Sequence, residues 1–397
     1  MTTALFVVPP LTGHVNPTIS VGAALTARGH EVVWAGLPGV VDRLLPPGAR
    51  FEPVVGSFGE AELARVQATS RGLRGPEALK FLWEDFIVPY ARATARDLRA
   101  VVERVAPDVL VVDQQAVAGA VVARQTGIAW VTSATTSAEL TDPLSDLPHV
   151  DTWVRGQLRD LQVDLGVDPA DAATGDLRFS DRLVLAFTTR ALCTPASGLG
   201  DRVRFVGPAI EQRPQTVPFP WEWLDGRPAV LVSLGTVYAE DGDRFFAAAI
   251  EALAGEPLQA VIVAPERIAA LVPAGADNIM VAERVPQLAL LPRMAAVVGH
   301  GGHNTVCEAL AHGLPLVLAP IRDDQPIVAD QVVQAGAGLR VRFGRVRAAE
   351  LRDAVHRAVS DPDLRRGAAA VRDSFARAGG APDAAAAIEA LTCGVTP

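Results

Sequence analysis

A chain of 397 residues exceeds one ordinary hydrophobic core and suits two domains of about 200 residues each. Apolar residues make up 49% of it and charged residues 20%, which excludes a disordered chain. The formal net charge of -9 comes without long like-charged blocks and argues against nucleic acid or an anionic membrane surface as the main partner; an anionic nucleotide held locally at a helix N-terminus remains open.

The first half opens with a β-branched strand, Leu5 to Val8, closed by Pro9-Pro10 and followed by helical sequence from about Asn16 to Arg28. A strand over Glu31 to Ala35 comes next, then a long helical segment from Pro76 to Val105, a strand at Val109 to Val112, and a helix–strand pair ending near Thr132. Strands alternating with helices imply parallel strands joined by right-handed crossovers. Residues 208–228 are proline-rich and read as a linker between a domain over 1–207 and another over 229–397. The alternation resumes with strands at Ala229–Ser233, Ala260–Val263, Ile279–Val281, Ala296–Gly299 and Pro315–Leu318, and ends in helical sequence over Ala348 to Leu391, whose last helix can pack back on the first domain. The fold class is therefore α/β, with two Rossmann-like, doubly wound domains facing across a cleft.

Cys193, Cys307 and Cys393 lie far apart and form no CxxC pair, as expected of reduced thiols in a cytoplasmic protein. No basic segment precedes the first apolar run, and no apolar stretch reaches the roughly 20 residues that span a bilayer, so neither a signal peptide nor a membrane span is expected. Lys80 is the only lysine and sits in a helical stretch far from any motif, which sets aside P-loop and Schiff-base chemistry.

The densest signal runs from Gly299 through His300, Gly301, Gly302, His303, Asn304, Thr305, Val306 and Cys307 to Glu308, between an apolar strand and a helical run. Glycines at a strand end let backbone approach a ligand, and the helix behind them offers N–H groups and a positive dipole end, a setting that suits a diphosphate. His300 can donate to a leaving group, and Asn304 and Thr305 can cap the helix or bond phosphate oxygens. Glu308, one turn in, can take both hydroxyls of a ribose. Asp324 and Gln325, after the Pro315–Leu318 strand, pair a carboxylate with an amide and suit adjacent sugar hydroxyls. Arg284, Val285 and Gln287 open a loop placed for a nucleobase, and Gly235 and Thr236 follow the first strand of this domain. Each feature alone reads as a cap or a solvated turn. Four of them in order, each at the carboxyl end of a strand, point to a ligand.

In the first domain Gly13-His14-Val15-Asn16-Pro17 follows the opening strand and turns an imidazole toward the cleft. Trp83, Phe86 and Tyr90 stand at helical spacing, a pattern of core packing that would also wall an apolar acceptor. Asp241-Gly242-Asp243 matches the short DxD pattern of metal-dependent transferases, yet it precedes a helical run, where aspartates cap. No metal is expected.

These residues closely resemble the donor signature of family 1 glycosyltransferases, a group with the GT-B fold that includes plant secondary-product and bacterial macrolide enzymes. The resemblance covers most of the chain and is strongest from Arg284 to Gln331. It implies that Val285 and Gln287 serve base and ribose and that Glu308 serves ribose. It further implies that His300, Gly302, Asn304 and Thr305 hold the diphosphate, and Asp324 and Gln325 the sugar. His14 would be the general base, with Asp113, at the end of the Val109–Val112 strand, orienting it. The region around Trp83 and the loop from Thr135 to Leu144, with Thr135 and Leu140, would shape the acceptor site. Arg284 stands where a uracil-stacking tryptophan is frequent, which leaves uridine and thymidine donors both open; His303 stands where plant members usually carry tryptophan, so their sugar contacts carry over less directly. The expected reaction is an inverting transfer of a hexose, glucose first, from a UDP-sugar to a small apolar acceptor by a monomer or homodimer without a bound cofactor. A dTDP-deoxysugar donor is the alternative, followed by a GT-B nucleotide-sugar epimerase or a non-catalytic auxiliary protein. A nicotinamide oxidoreductase is disfavoured because Pro9-Pro10-Leu11-Thr12-Gly13 replaces GxGxxG.

Overall fold

The structure, a computed structural model, describes residues 1–210, 217–235 and 242–392; Thr236, Asp241 and Cys393, and part of the proline-rich segment, lie outside the described residues. The chain divides into two compact units. One holds Met1–Arg190, Thr194–Arg213 and Ala378–Pro397; the other holds Ala191–Cys193 and Pro214–Arg377.

Among the described residues the first unit has seven strands, β1 (Thr3–Val7), β2 (Glu31–Gly36), β3 (Arg50–Pro53), β4 (Val109–Asp113), β5 (Ala129–Ala134), β6 (Val184–Ala186) and β7 (Val203–Phe205). They pair in parallel in the order β3-β2-β1-β4-β5-β6-β7. Order reverses between β1 and β4, where open α/β sheets bind ligands at the carboxyl ends of the strands. Helices cover both faces, so residues of either parity along a strand are apolar. Leu5, Leu110 and Val112 join the core packed with Leu98 and Val102, whereas Ala4, Phe6, Val109 and Val111 join a second core with Val21 and Leu25.

The helices that matter for the site are α1 (Thr12–Ala27), α2 (Val88–Val105), α3 (Val117–Thr126) and α4 (Pro148–Asp164). Helix α1 begins four residues earlier than the sequence pattern suggests and holds Pro17 inside its second turn. Its inner face is tied to the sheet by Trp34, which stacks on Phe6 at 5.5 Å and donates from Nε1 to Thr18 Oγ1 at 3.0 Å. The long helical segment expected from Pro76 is interrupted by a π-helical turn, Leu82–Ile87, just ahead of α2.

Six strands of the second unit, β8 (Ala229–Ser233), β9 (Gln259–Val263), β10 (Ile279–Ala282), β11 (Ala296–Gly299), β12 (Leu316–Leu318) and β13 (Gly338–Arg340), are likewise parallel, in the order β10-β9-β8-β11-β12-β13. Here the reversal falls between β8 and β11. Helix α5 (Asp243–Leu253) presents Phe245 and Phe246 to one face, where α8 (Ala348–Ser360) adds Leu351 and Val355. Helices α6 (His303–Ala311) and α7 (Gln325–Gln334) cover the other face through Val306, Leu310, Val328 and Val332. The C-terminal helix α9 (Gly380–Thr392) lies with the first unit, its small Ala384 and Ala385 packed in the same core as Val21 and Leu25 of α1. Arg28 pairs with Glu389, and Arg204 with Asp383 at 2.6 Å. None of the described helices is long and apolar enough to cross a membrane.

Candidate active site

At the switch point of the first sheet, the chain leaves β1 through Val8-Pro9-Pro10-Leu11 and places His14 in the opening turn of α1. Asp113 is the last residue of the neighbouring strand β4 and is fully buried. Nδ1 of His14 lies 2.9 Å from both carboxylate oxygens of Asp113. The backbone N–H of Gln115 donates to Asp113 Oδ1 at 2.8 Å. Thr135, one residue past β5, donates from Oγ1 to Asp113 Oδ2 at 2.8 Å and stands 2.8 Å from His14 Nδ1. Because a carboxylate only accepts, the ring carries its proton on Nδ1 and its lone pair on Nε2. The side chain of His14 is 16% exposed, enough for a reactant to reach a ring whose inner edge is fixed. Beside it Gln114 is buried with neither end of its amide matched to a partner among the described residues.

The aromatic residues expected near an acceptor pack differently. Trp83, Phe86 and Tyr90 belong to the core beneath the sheet, and Phe58 meets Tyr90 edge-on at 5.0 Å. Burial raises the Tyr90 phenol well above its ordinary pKa, so it stays neutral; with Val7, Ala35 and Thr94 it lines a small cavity. Leu140 is wholly buried too. The core reading of the helical spacing is the one the three aromatic side chains satisfy.

In the second unit the loop after β8 and the loop after β11 adjoin at the switch point, with Ser233 in register with Gly299. Gly235 has φ +73°, and its N–H donates to Ser233 Oγ at 3.3 Å. The His300 ring lies between Gly235 and Gly302. A Cβ on Gly235 would stand 2.8 Å from the ring, and one on Gly302 only 2.5 Å from Nε2, so both positions must lack side chains. Burial drives the His300 pKa from 6.5 down to about 4, against a smaller opposing pull from the Ser233 backbone, so the ring is neutral at physiological pH. Gly301 has φ +89°, and a Cβ there would stand 3.1 Å from the backbone carbonyl oxygen of Gln325. Gly302 is the N-cap of α6 and supplies no side-chain cap, and a helix N-terminus of this kind suits an anion.

Glu308 is buried one turn farther along α6 and accepts from Gln287 Nε2 at 2.6 Å, so two expected ribose-reading groups form one pair. Val285 packs partly against the core, and Arg284 is exposed. Asp324 is the N-cap of α7 without a side-chain cap bond. The Gln325 carbonyl oxygen accepts from the backbone N–H groups of Ile321 at 2.9 Å and Arg322 at 3.3 Å, so toward a sugar this amide offers its NH2. His303 is buried, with Nε2 3.4 Å from Cys307 Sγ along its own helix, a placement the motif alone did not suggest. Asn304 and Thr305 occupy the first turn of α6. Asp243, in the DxD-like stretch, opens α5 and is held by Arg267 at 2.8 Å. Among the described residues no cluster of three or more His, Cys, Asp or Glu side chains is arranged to hold a metal.

The 4'-demethylrebeccamycin synthase of Lentzea aerocolonigenes is 33% identical over 416 residues, covering 96% of this chain and 97% of that protein. The chain belongs to the family 1 glycosyltransferases. The erythromycin biosynthesis protein CIII-like C-terminal domain matches residues 250–391. Another relative of this glycosyltransferase, the demethyllactenocin mycarosyltransferase of Streptomyces fradiae, is 29% identical over 97% of this chain and 86% of its own length. Among solved structures, the glycosyltransferase of kitacinnamycin matches with a TM-score of 0.77 at 25% identity over 98% of both chains. The calicheamicin glycosyltransferase matches with 0.79 at 24% identity over the full length of both, a likeness of fold. The fold is GT-B, and the enzyme is a glycosyltransferase of the natural-product type.

Proposed function

We propose that this glycosyltransferase is an inverting, metal-independent enzyme that moves a hexose, glucose first, from a UDP-sugar to a hydroxyl of a small apolar acceptor. The observation that carries the reading is the His14–Asp113 contact at 2.9 Å, which assigns the ring proton to Nδ1 and the basic lone pair to Nε2 at the carboxyl edge of a sheet. As the acceptor oxygen attacks the anomeric carbon, its proton passes to Nε2 and Asp113 stabilises the imidazolium. The bond from the anomeric carbon to the diphosphate breaks on the opposite side, so configuration inverts. In this reading the departing charge would be met by the N-terminus of α6, which has no side-chain cap, beside a His300 ring that burial holds neutral. Glu308 and Gln287 would hold the ribose, Arg284 and Val285 the base, Asp324 and Gln325 the sugar. Gly13, Gly235, Gly301 and Gly302 would let the backbone approach. Trp83, Phe86, Tyr90 and Leu140 are proposed as the packed backing beneath an acceptor wall.

A dTDP-deoxysugar is the second reading of the donor, and the Gln325 geometry bears on its missing hydroxyl. With Oε1 committed to the loop backbone, the residue reads fewer hydroxyls than a free amide would. Thermal-shift titration with UDP-glucose, dTDP-glucose and a dTDP-deoxysugar separates the readings, because the true donor raises the melting temperature at lower concentration. With either donor and a panel of phenolic acceptors, the product should carry the inverted anomeric proton coupling, and chelator should leave the rate unchanged. Replacing His14 by Ala should preserve folding and donor binding while transfer falls about 10²- to 10⁴-fold. Near-normal turnover in that variant ends the assignment of the base.

A further inference from the structure

We propose that Thr135 is a positioning residue of this site, a third member of the His14–Asp113 pair that fixes both the tautomer and the rotation of the imidazole. The proposal builds on the reading of His14 as base. Thr135 is 4% exposed, and its Oγ1 lies 2.8 Å from Asp113 Oδ2 and 2.8 Å from His14 Nδ1. A hydroxyl has one proton and two lone pairs. Its proton goes to the carboxylate, which cannot donate, so a lone pair faces Nδ1. Only an Nδ1–H ring fits that arrangement, which reserves Nε2 for the acceptor's proton.

The carboxylate alone would fix the ring less well. Nδ1 is equidistant, at 2.9 Å, from Oδ1 and Oδ2, so the imidazole can rock between them at little cost. Gln115 N–H secures Oδ1 and the Thr135 hydroxyl secures Oδ2, and the hydroxyl adds a third contact to Nδ1 that lies off the carboxylate. A threonine just past a strand commonly folds back on its own turn. The bonds of the Thr135 hydroxyl instead reach side chains 22 and 121 residues away, one from each neighbouring element of the switch point.

The test reads the ring directly and needs no substrate. ¹⁵N NMR of the histidine-labelled protein, with the His14 signal assigned from the H14A spectrum, should show the Nδ1–H tautomer with a slowly exchanging proton. Thr135→Ser, which keeps the hydroxyl, should preserve that signature. Thr135→Ala and Thr135→Val should speed proton exchange about tenfold or more, as loss of one hydrogen bond implies. In turnover of a phenolic acceptor with the donor selected by thermal shift, Thr135→Ala should lower kcat by about 10- to 100-fold. Its acceptor KM should stay within about twofold, since a residue that only positions the base contributes nothing to ground-state binding. Should the valine variant fail to fold, the serine–alanine pair carries the same contrast with side chains smaller than threonine. The proposal is overturned by an alanine variant with the wild-type tautomer and exchange rate, by a change in KM alone, or by a serine variant that behaves as alanine does. An active H14A enzyme would instead remove the base assignment, and the NMR result would stand apart from it.

Discussion

Two histidines occupy equivalent places in the two units and are set up for opposite work. His14 follows β1 and answers to Asp113 at the end of β4; His300 follows β11 and answers to the loop after β8. Both are at the point where strand order reverses. His14 meets a buried carboxylate, a hydroxyl and partial solvent, so its protonated form has a counter-charge beside it. His300 meets glycine backbone and is held neutral by burial. The comparison teaches that the strand–loop–helix geometry supplies the location, while the residue at the neighbouring strand end decides whether the ring has a carboxylate beside it or is held neutral by burial.

The sharpest break of that contrast is Asp113→Asn. An amide of the same shape can turn its NH2 toward Nδ1, which forces the proton onto Nε2 and leaves the ring without a usable lone pair. Transfer should fall by about 10³- to 10⁴-fold. Calorimetric titration with the preferred nucleoside diphosphate should give an unchanged affinity; a loss of binding comparable to the loss of rate would show that Asp113 holds the fold or the donor and not the ring.

How far this contrast can be read in the sequence depends on which link is asked for. The strands that lead to Asp113 and His300 are apolar on both faces, as in Val109–Val112 and Ala296–Gly299, and stand out as continuous runs. Short strands do not: β3 is the polar Arg-Phe-Glu-Pro at a sheet edge, and β6, β7 and β13 have three residues each, too few to establish a period. His14 and Asp113 are separated by 99 residues, so nothing local joins them, and the pairing came from the family resemblance. Thr135 resembled a loop residue of an acceptor site because its partners are tertiary. The bond between Gln325 and its own loop, and the turning of His303 toward Cys307, depend on side-chain rotamers that a motif does not encode.

Gly302→Ala probes the other side of the comparison. The new methyl would sit 2.5 Å from His300 Nε2, at the ring edge that Gly235 also adjoins, so relief requires the ring or its loop to shift. Overpacking of this kind costs about 1–3 kcal/mol of stability. The effect on catalysis should appear as weaker donor binding, with kcat at saturating donor changed far less than in Asp113→Asn. If instead kcat collapsed while nucleotide affinity held, His300 would be acting at the reaction centre in the way assigned to His14.

The smallest effect concerns pH. His300 titrates near 6.5 when exposed and near 4 in the fold. Between those values the unfolded chain binds a proton that the native ring refuses, so stability must rise with pH there. The contribution is fully present above about pH 6.5 and is lost as pH falls toward 4. From pH 7 to pH 5 the loss attributable to this ring is about 2 kcal/mol. Urea unfolding of the wild type and of His300→Asn at both pH values isolates it, since every other titrating group is common to the two proteins. The wild type should lose about 2 kcal/mol more than the variant over that interval. Equal losses would mean that the ring between Gly235 and Gly302 takes up its proton as readily as an exposed histidine, and the opposition between the two imidazoles would then rest on Asp113 alone.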